Sequence, residues 1–235
     1  FEDGAPQTIR DFLLEDRPTT MAIVQDSSGS MRDAMPEVHQ AAASFVETLR
    51  PQDRALVIDF DDKVFLLQDL TGDQTLLKEA VKSTEALGST ALYDGLHAAF
   101  RKLRGIEGRK AIVLLSDGDD TSSQLAYNRI LEEAKAQSVL IYGIGLGEVR
   151  KSVLKELSET TGGRSFFVAK ASQLADVYRK IADELRRQYY LSYSTTNTKW
   201  DGRFIKLEVK SKNPDWSVRA RRGYFAVRGG GGALK

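Results

Sequence analysis

Three short polar stretches carry the residue types that could do chemistry. In "DSSGS", Asp26, Ser28 and Ser30 stand at i, i+2 and i+4, immediately after the apolar run Thr20–Gln25. Gly29 gives the backbone freedom to curl, so alternate side chains can converge on one point. In "GSTALYDGL", Thr90 opens a helical pattern, and in "SDGDD", Asp117 follows the apolar run Lys110–Ser116 by one residue. The set is two carboxylates and three hydroxyls, all oxygen. That chemistry suits a small hard cation such as Mg²⁺, which takes oxygen ligands and commonly keeps several waters. Each residue also has an ordinary explanation: Thr90 as a helix N-cap, Asp117 as the acid of an Asp-Gly turn.

The elements that must position these residues alternate. Buried-strand runs are expected at Thr20–Gln25, Arg54–Phe60, Lys63–Leu70, Lys110–Ser116, Val139–Leu146 and Ser165–Ala169. Helical spacing is expected over Arg32–Arg50, Asp73–Ala86, Thr90–Leu103, Ser123–Gln137, Lys151–Thr161 and Ser172–Gln188. The acidic pair Asp61-Asp62 splits the second and third strands into a hairpin. Strands separated by helices imply an α/β fold: a doubly wound, mostly parallel sheet with helices on both faces. Ligands of such sheets bind at the carboxyl ends of the strands, where all three polar stretches fall.

After Gln188 the pattern turns to short alternating segments, Tyr189–Ser194, Phe204–Lys210 and Trp216–Val227. These imply an antiparallel appendage, joined by the extended opening segment with its Asp-Gly turn. The expected division is a main domain over 18–188, an appendage from 1–17 and 189–228 whose core holds Trp200, Trp216, Tyr190 and Tyr224, and a flexible tail over 229–235.

Hydrophobic content of 41% and charged content of 29% are those of a globular protein with a proper core. No apolar run approaches the ~20 residues of a bilayer span. The absence of cysteine excludes disulfides and thiolate metal sites. A net charge of +1 conceals an asymmetry: Arg186–Lys235 holds twelve basic residues against three acids, so the first 185 residues carry −8. A solvated face of alternating charge accounts for the basic stretch more simply than a nucleic-acid surface, and no nucleic-acid partner is expected.

Asp26-x-Ser28-x-Ser30, Thr90 and Asp117, in that order, resemble the metal-ion-dependent adhesion site of von Willebrand factor type A (VWA) domains. The resemblance covers Thr19 to Gln188 and includes "SGSM", "GSTALYDGL" and "SDGDD". The flanks "FEDGAPQTI", "TGG", "YRKIADELRRQYYLSYS" and "VRARRGYF" are similar to a bacterial, usually exported, VWA-related group. The resemblance implies a Rossmann-like VWA fold and a Mg²⁺ site, with Mn²⁺ or Ca²⁺ as alternatives. Ser28 and Ser30 would bind the ion directly, Thr90 directly in one conformational state, and Asp26 and Asp117 mostly through water. It further implies a partner protein offering a Glu or Asp carboxylate, no catalysis, and a secreted, periplasmic or cell-surface setting. The last long helix, Ala171–Gln188, would be the element that moves. The sequence does not set the oligomeric state.

Two other readings compete. Asp59 and Asp61 in "LVIDFDDK" have the D-x-D spacing of haloacid-dehalogenase-type phosphatases, in which the first Asp is a nucleophile. Lys63 breaks that pattern, and a later acidic motif lacks a candidate. His39 and His97 are the only imidazole bases, and "SGS" is not a nucleophile elbow. The second reading is a metal-independent interaction module using the basic, aromatic C-terminal sheet.

Overall fold

A computed structural model describes residues 1–117, 119–147 and 149–227. The expected flexible tail lies outside the described residues. Six strands form the central sheet: β2 (Thr19–Asp26), β3 (Arg54–Phe60), β4 (Val64–Thr71), β5 (Arg109–Ser116), β6 (Leu140–Leu146) and β7 (Arg164–Val168). Their order is β4-β3-β2-β5-β6-β7; all neighbours are parallel except the β3–β4 hairpin.

The side-chain period of two sorts each strand between two cores. Met21, Ile23, Ala55, Val57, Ala111, Val113 and Leu115 face one way. They pack against α1 (Met35–Glu47), α2 (Gln74–Lys82) and α6 (Leu174–Arg186). Ala22, Val24, Leu56, Ile58, Phe60, Ile112 and Leu114 face the other way. They pack against α3 (Leu92–Leu103), α4 (Tyr127–Ala136) and α5 (Lys151–Thr161). Each large aliphatic side chain fully buried here contributes about 1.5–3 kcal/mol, which is what fixes the register of the central strands.

Local signals hold where chemistry is local. Asp73 caps α2, accepting from the N–H groups of Thr75 and Leu76. Gly162 ends α5 in the left-handed region at φ +83°. The first helix departs from expectation: residues Gly29–Ala34 form a 3-10 turn, and α1 begins only at Met35, with Pro36 in its first turn. Thr90 likewise lies outside α3, whose N-cap position is held by Ala91 without a side-chain bond.

The appendage differs in plan. The expected single small sheet is two separate ribbons: β1 (Ile9–Leu14) with β8 (Tyr189–Tyr193), and β9 (Phe204–Lys206) with β10 (Gly223–Phe225), both antiparallel. The expected long strands at Phe204–Lys210 and Trp216–Val227 shrink to three residues each. Nor does the appendage bury its tryptophans: Trp200 is 41% exposed and Trp216 67%. A polar centre takes the place of that core. The carboxylate of Glu2, itself buried, accepts from the hydroxyls of Tyr193, Tyr224 and Thr195. The excess positive charge is met in part inside the molecule, by Arg219–Glu184, Arg222–Glu159 and Lys210–Glu208 pairs.

Candidate metal centre

The strand order reverses at β2. From β2 the chain builds outward through β3 and β4, then returns by α3 to place β5 on the other side. The crevice between the carboxyl ends of β2 and β5 is therefore the switch point at which such sheets bind ligands.

The alternation that turns Ala22 and Val24 toward α3 puts Asp26 on the same side as Ser116 of β5. Ser116 Oγ donates to Asp26 Oδ2 at 2.6 Å, and the Ser28 N–H donates to Asp26 Oδ1 at 2.8 Å. Ser28 stands at the start of the 3-10 turn, yet its hydroxyl makes no capping bond. It lies 3.1 Å from Ser30 Oγ, and Ser30 Oγ donates to Asp117 Oδ1 at 3.0 Å. Asp26, Ser28, Ser30 and Asp117 thus form one arc that rises from fully buried Asp26 to exposed Ser30.

Thr90 joins through its backbone. Its N–H donates to Thr121 Oγ1, and its carbonyl accepts from the N–H groups of Thr121 and Ser122. The same segment reaches the first loop, where the Gly29 N–H donates to the Gly88 carbonyl and the Leu87 N–H to that of Ser27. The middle loop is bonded to both others, while no hydrogen bond ties the Thr90 hydroxyl to the arc among the described residues.

The electrostatics are those of carboxylates short of a counter-charge. Burial pushes Asp26 up to about 6, against the opposing pull of Ser116 and Ser28, and Asp117 adds like-charge repulsion. Burial raises Asp117 as well, with Ser30 drawing it back. Among the described residues no Lys or Arg side chain bonds to either. Oxygen donors, two of them anionic, around a partly open crevice are a set that a divalent cation fits.

The competing sites come apart. Asp59 is buried and accepts from Ser27 Oγ at 2.8 Å, whereas Asp61 accepts the Lys63 N–H at 2.7 Å as a turn acid. His97 Nδ1 pairs with Glu133, and His39 Nε2 bonds Thr84 Oγ1. Among the described residues, neither imidazole bonds to the arc. Ser27, in the loop after β2, is the neighbour absent from the sequence expectations, whereas Ser116 and Asp59 stand there in other roles, as the end of an apolar run and as an acid of the D-x-D pair.

Comparison with known proteins decides the family. The model of the von Willebrand factor type A domain matches residues 21–180, most of the chain. This chain is a VWA domain protein. The bovine calcium-activated chloride channel regulator 1 is 29% identical over 183 residues, covering 72% of this chain and 20% of that protein. Human inter-alpha-trypsin inhibitor heavy chain H2 is 25% identical over 206 residues, covering 78% and 22%. The chain therefore spans about a fifth of the length of these relatives. Among solved structures, a von Willebrand factor type A protein from Catenulispora acidiphila superposes with a TM-score of 0.67 at 22% identity, covering 72% of this chain and 43% of that one. Proximal thread matrix protein 1 from the mussel byssus, solved with zinc in its MIDAS motif, gives 0.67 at 18% identity, covering 76% and 48%. These likenesses establish the VWA fold.

Proposed function

We propose that this VWA domain is a divalent-metal-dependent protein-binding module, without catalysis, whose ion is held by Asp26, Ser28, Ser30, Thr90 and Asp117. The observation that carries the reading is the hydrogen-bonded arc from Asp26 to Asp117, which gathers oxygen donors from two strand ends at the switch point. Mg²⁺ is the favoured ion, with Mn²⁺ and Ca²⁺ behind it; the zinc in the mussel protein makes Zn²⁺ worth including in the titration.

The ion, when bound, supplies a positive charge that a carboxylate from outside can meet. The chain's residues set the terms. Asp26 and Asp117 would balance a divalent ion without over-neutralising it, and the neutral hydroxyls of Ser28 and Ser30 would leave it electrophilic. Asp26, held by Ser116 and by the Ser28 N–H, anchors the buried side. Thr90 and Asp117 stand on loops that approach from the other two directions. A partner Glu or Asp would complete the site, and an acidic partner protein is accordingly the ligand class we assign. The resemblance of both flanks to an exported group supports a place outside the cytoplasm, on the cell surface, in the periplasm or secreted.

The test is calorimetric titration of Mg²⁺, Mn²⁺ and Zn²⁺ into chelator-stripped protein, beside Asp26→Ala. The expected result is one site in the wild type and a loss of at least about a hundredfold in affinity, ~2.7 kcal/mol, in the folded variant. Equal binding by the two proteins would remove the site from these residues.

A further inference from the structure

Beneath the metal loop lies a buried polar layer that the proposed function does not use. On the α1/α2 side of the sheet the inward positions of β2 run Met21, Ile23, Gln25, and those of β3 run Ala55, Val57, Asp59. Both apolar columns thus end on a polar residue. Gln25 and Asp59 are partners in the parallel register, and they are 1% and 6% exposed. Gln25 spends its Nε2 on Thr84 Oγ1, at 2.7 Å, and on the Val81 carbonyl, at 3.4 Å. Asp59 spends Oδ2 on the hydroxyl of Ser27. What remains, on each side chain, is one buried oxygen with no hydrogen-bond partner among the described residues: Gln25 Oε1 and Asp59 Oδ1.

Two acceptors on adjacent strands cannot satisfy one another, and a buried polar atom left unmatched costs about 1–3 kcal/mol. One proton removes both deficits. We propose that Asp59 is a neutral, protonated acid in the folded protein, donating from Oδ1 to Gln25 Oε1 while Oδ2 accepts from Ser27, and that it thereby positions the loop between Asp26 and Ser28. The positioning half of this proposal rests on the metal-site reading; the protonation half does not.

The charges around Asp59 support it. Asp26 at the end of β2 and Asp61 in the hairpin both oppose its ionisation, and burial does so more strongly, pushing it up to about 7. From α1, His39 reaches the layer only through Thr84, with burial and nearby Lys82 both disfavouring its charged form. No cationic side chain bonds to Asp59 among the described residues. Ser27 is the point of leverage: its hydroxyl holds Asp59, its N–H holds the Phe60 carbonyl, and its carbonyl holds the Leu87 N–H. A neutral acid below this residue keeps the loop in place without adding a third negative charge under Asp26 and Asp117.

Asp59→Asn is the deciding variant, because an amide reproduces the neutral acid, one N–H to Gln25 and one oxygen to Ser27. Thermal melting would be followed in chelator, from pH 4.5 to 8, so that metal plays no part. The sign is fixed by linkage: a carboxyl that holds its proton in the fold but not in the unfolded chain loses stability as pH rises through the window from about 4 to about 7. The asparagine variant lacks that loss. Its melting temperature is expected to match the wild type at pH 4.5 and to exceed it by at least about 4 °C at pH 7.5. A variant less stable than the wild type by the same margin at every pH would overturn the proposal, indicating an ionised Asp59 served by a water or by a reversed Gln25 amide. Infrared difference spectra of wild type against Asp59→Asn at pH 6 read the proton directly: a carboxylic acid carbonyl band supports it, a carboxylate band refutes it. In Mg²⁺ titration at pH 6.5, where Asp59 still holds its proton, Asp59→Asn should stay within about threefold of the wild type and Asp59→Ala fall tenfold or more. Loss of Mg²⁺ binding in folded Asp59→Asn would refute the positioning role, whereas a wild type that binds no Mg²⁺ would refute the metal reading and leave the melting result standing.

Discussion

Ser30 Oγ donates to Asp117 Oδ1 at 3.0 Å, joining residues 87 positions apart in the chain. One lies just past β2 and the other just past β5, on opposite sides of the point where the sheet reverses direction. The bond makes the two strand ends a single polar surface. This relationship ties the candidate site to the topology of the fold.

Metal binding should depend on pH with a midpoint set by Asp26. Burial raises this carboxyl to about 6, above its ordinary range. In the metal-free protein it holds a proton between about pH 4 and pH 6 that the unfolded chain releases. Its contribution to stability therefore declines as pH rises through that window and is level above it. An incoming cation must displace the proton, so affinity for Mg²⁺ should fall about tenfold per unit below pH 6 and be flat from pH 7 to 8. Calorimetry at pH 5, 6, 7 and 8 measures both limbs.

Thr90→Ala separates a helix cap from a ligand. The Thr90 side chain makes no capping bond, and the loop is fastened by its backbone. Loss of the buried methyl and hydroxyl should cost about 1 kcal/mol in urea melts. Mg²⁺ affinity should drop about tenfold or more. A large stability loss with unchanged affinity would return Thr90 to a structural role.

Gly162→Ala should be costly for two reasons that add. Gly162 sits at φ +83°, where a side chain is strained, and a Cβ there would stand 2.6 Å from the backbone nitrogen of Arg221. We expect a loss of about 2–3 kcal/mol, read by chemical denaturation, with Mg²⁺ affinity unchanged because the site lies at the opposite end of the strands.

Much of this arrangement was legible in the sequence because its signals are local. The apolar run Lys110–Ser116 is β5 but for one residue, and α5 spans Lys151–Thr161 as its periodicity and the following glycines imply. Asp26, Ser28, Ser30 and Asp117 follow the ends of β2 and β5, whereas Thr90 lies between α2 and α3. What escaped depends on contacts across the sheet. The 3-10 turn before α1 is held by Met31, whose side chain is fully buried, and whose N–H bonds the Ser28 carbonyl. Helical spacing runs on to Thr90 in the sequence, and it does not reveal that the Thr90 backbone is bonded to Thr121 and Ser122. Asp59 has a nucleophile's look in sequence, since D-x-D spacing is visible and the hydroxyl of Ser27, on a neighbouring strand's loop, is not. The appendage departs furthest from expectation. Its alternating segments suggested one sheet with an aromatic core, whereas the buried Glu2 carboxylate gathers two tyrosines and a threonine in its place.

The strap formed by Arg219–Arg222 bears on where this domain ends. The Arg222 N–H bonds the Thr160 carbonyl, Arg221 reaches Ser138 Oγ and the Lys135 carbonyl, and the chain at Ala220–Arg221 lies against Gly162. Arg109 of β5 bonds the Leu185 carbonyl and the Gln188 side chain. All of these closing residues fall after position 180, where the family match stops. A fragment trimmed to the matched segment would expose the floor of the sheet and strand a buried guanidinium. The autonomous folding unit is thus expected to extend beyond the matched segment, and expression of that segment alone should give a protein that melts early and aggregates, with its candidate metal loops intact in sequence and unsupported from below.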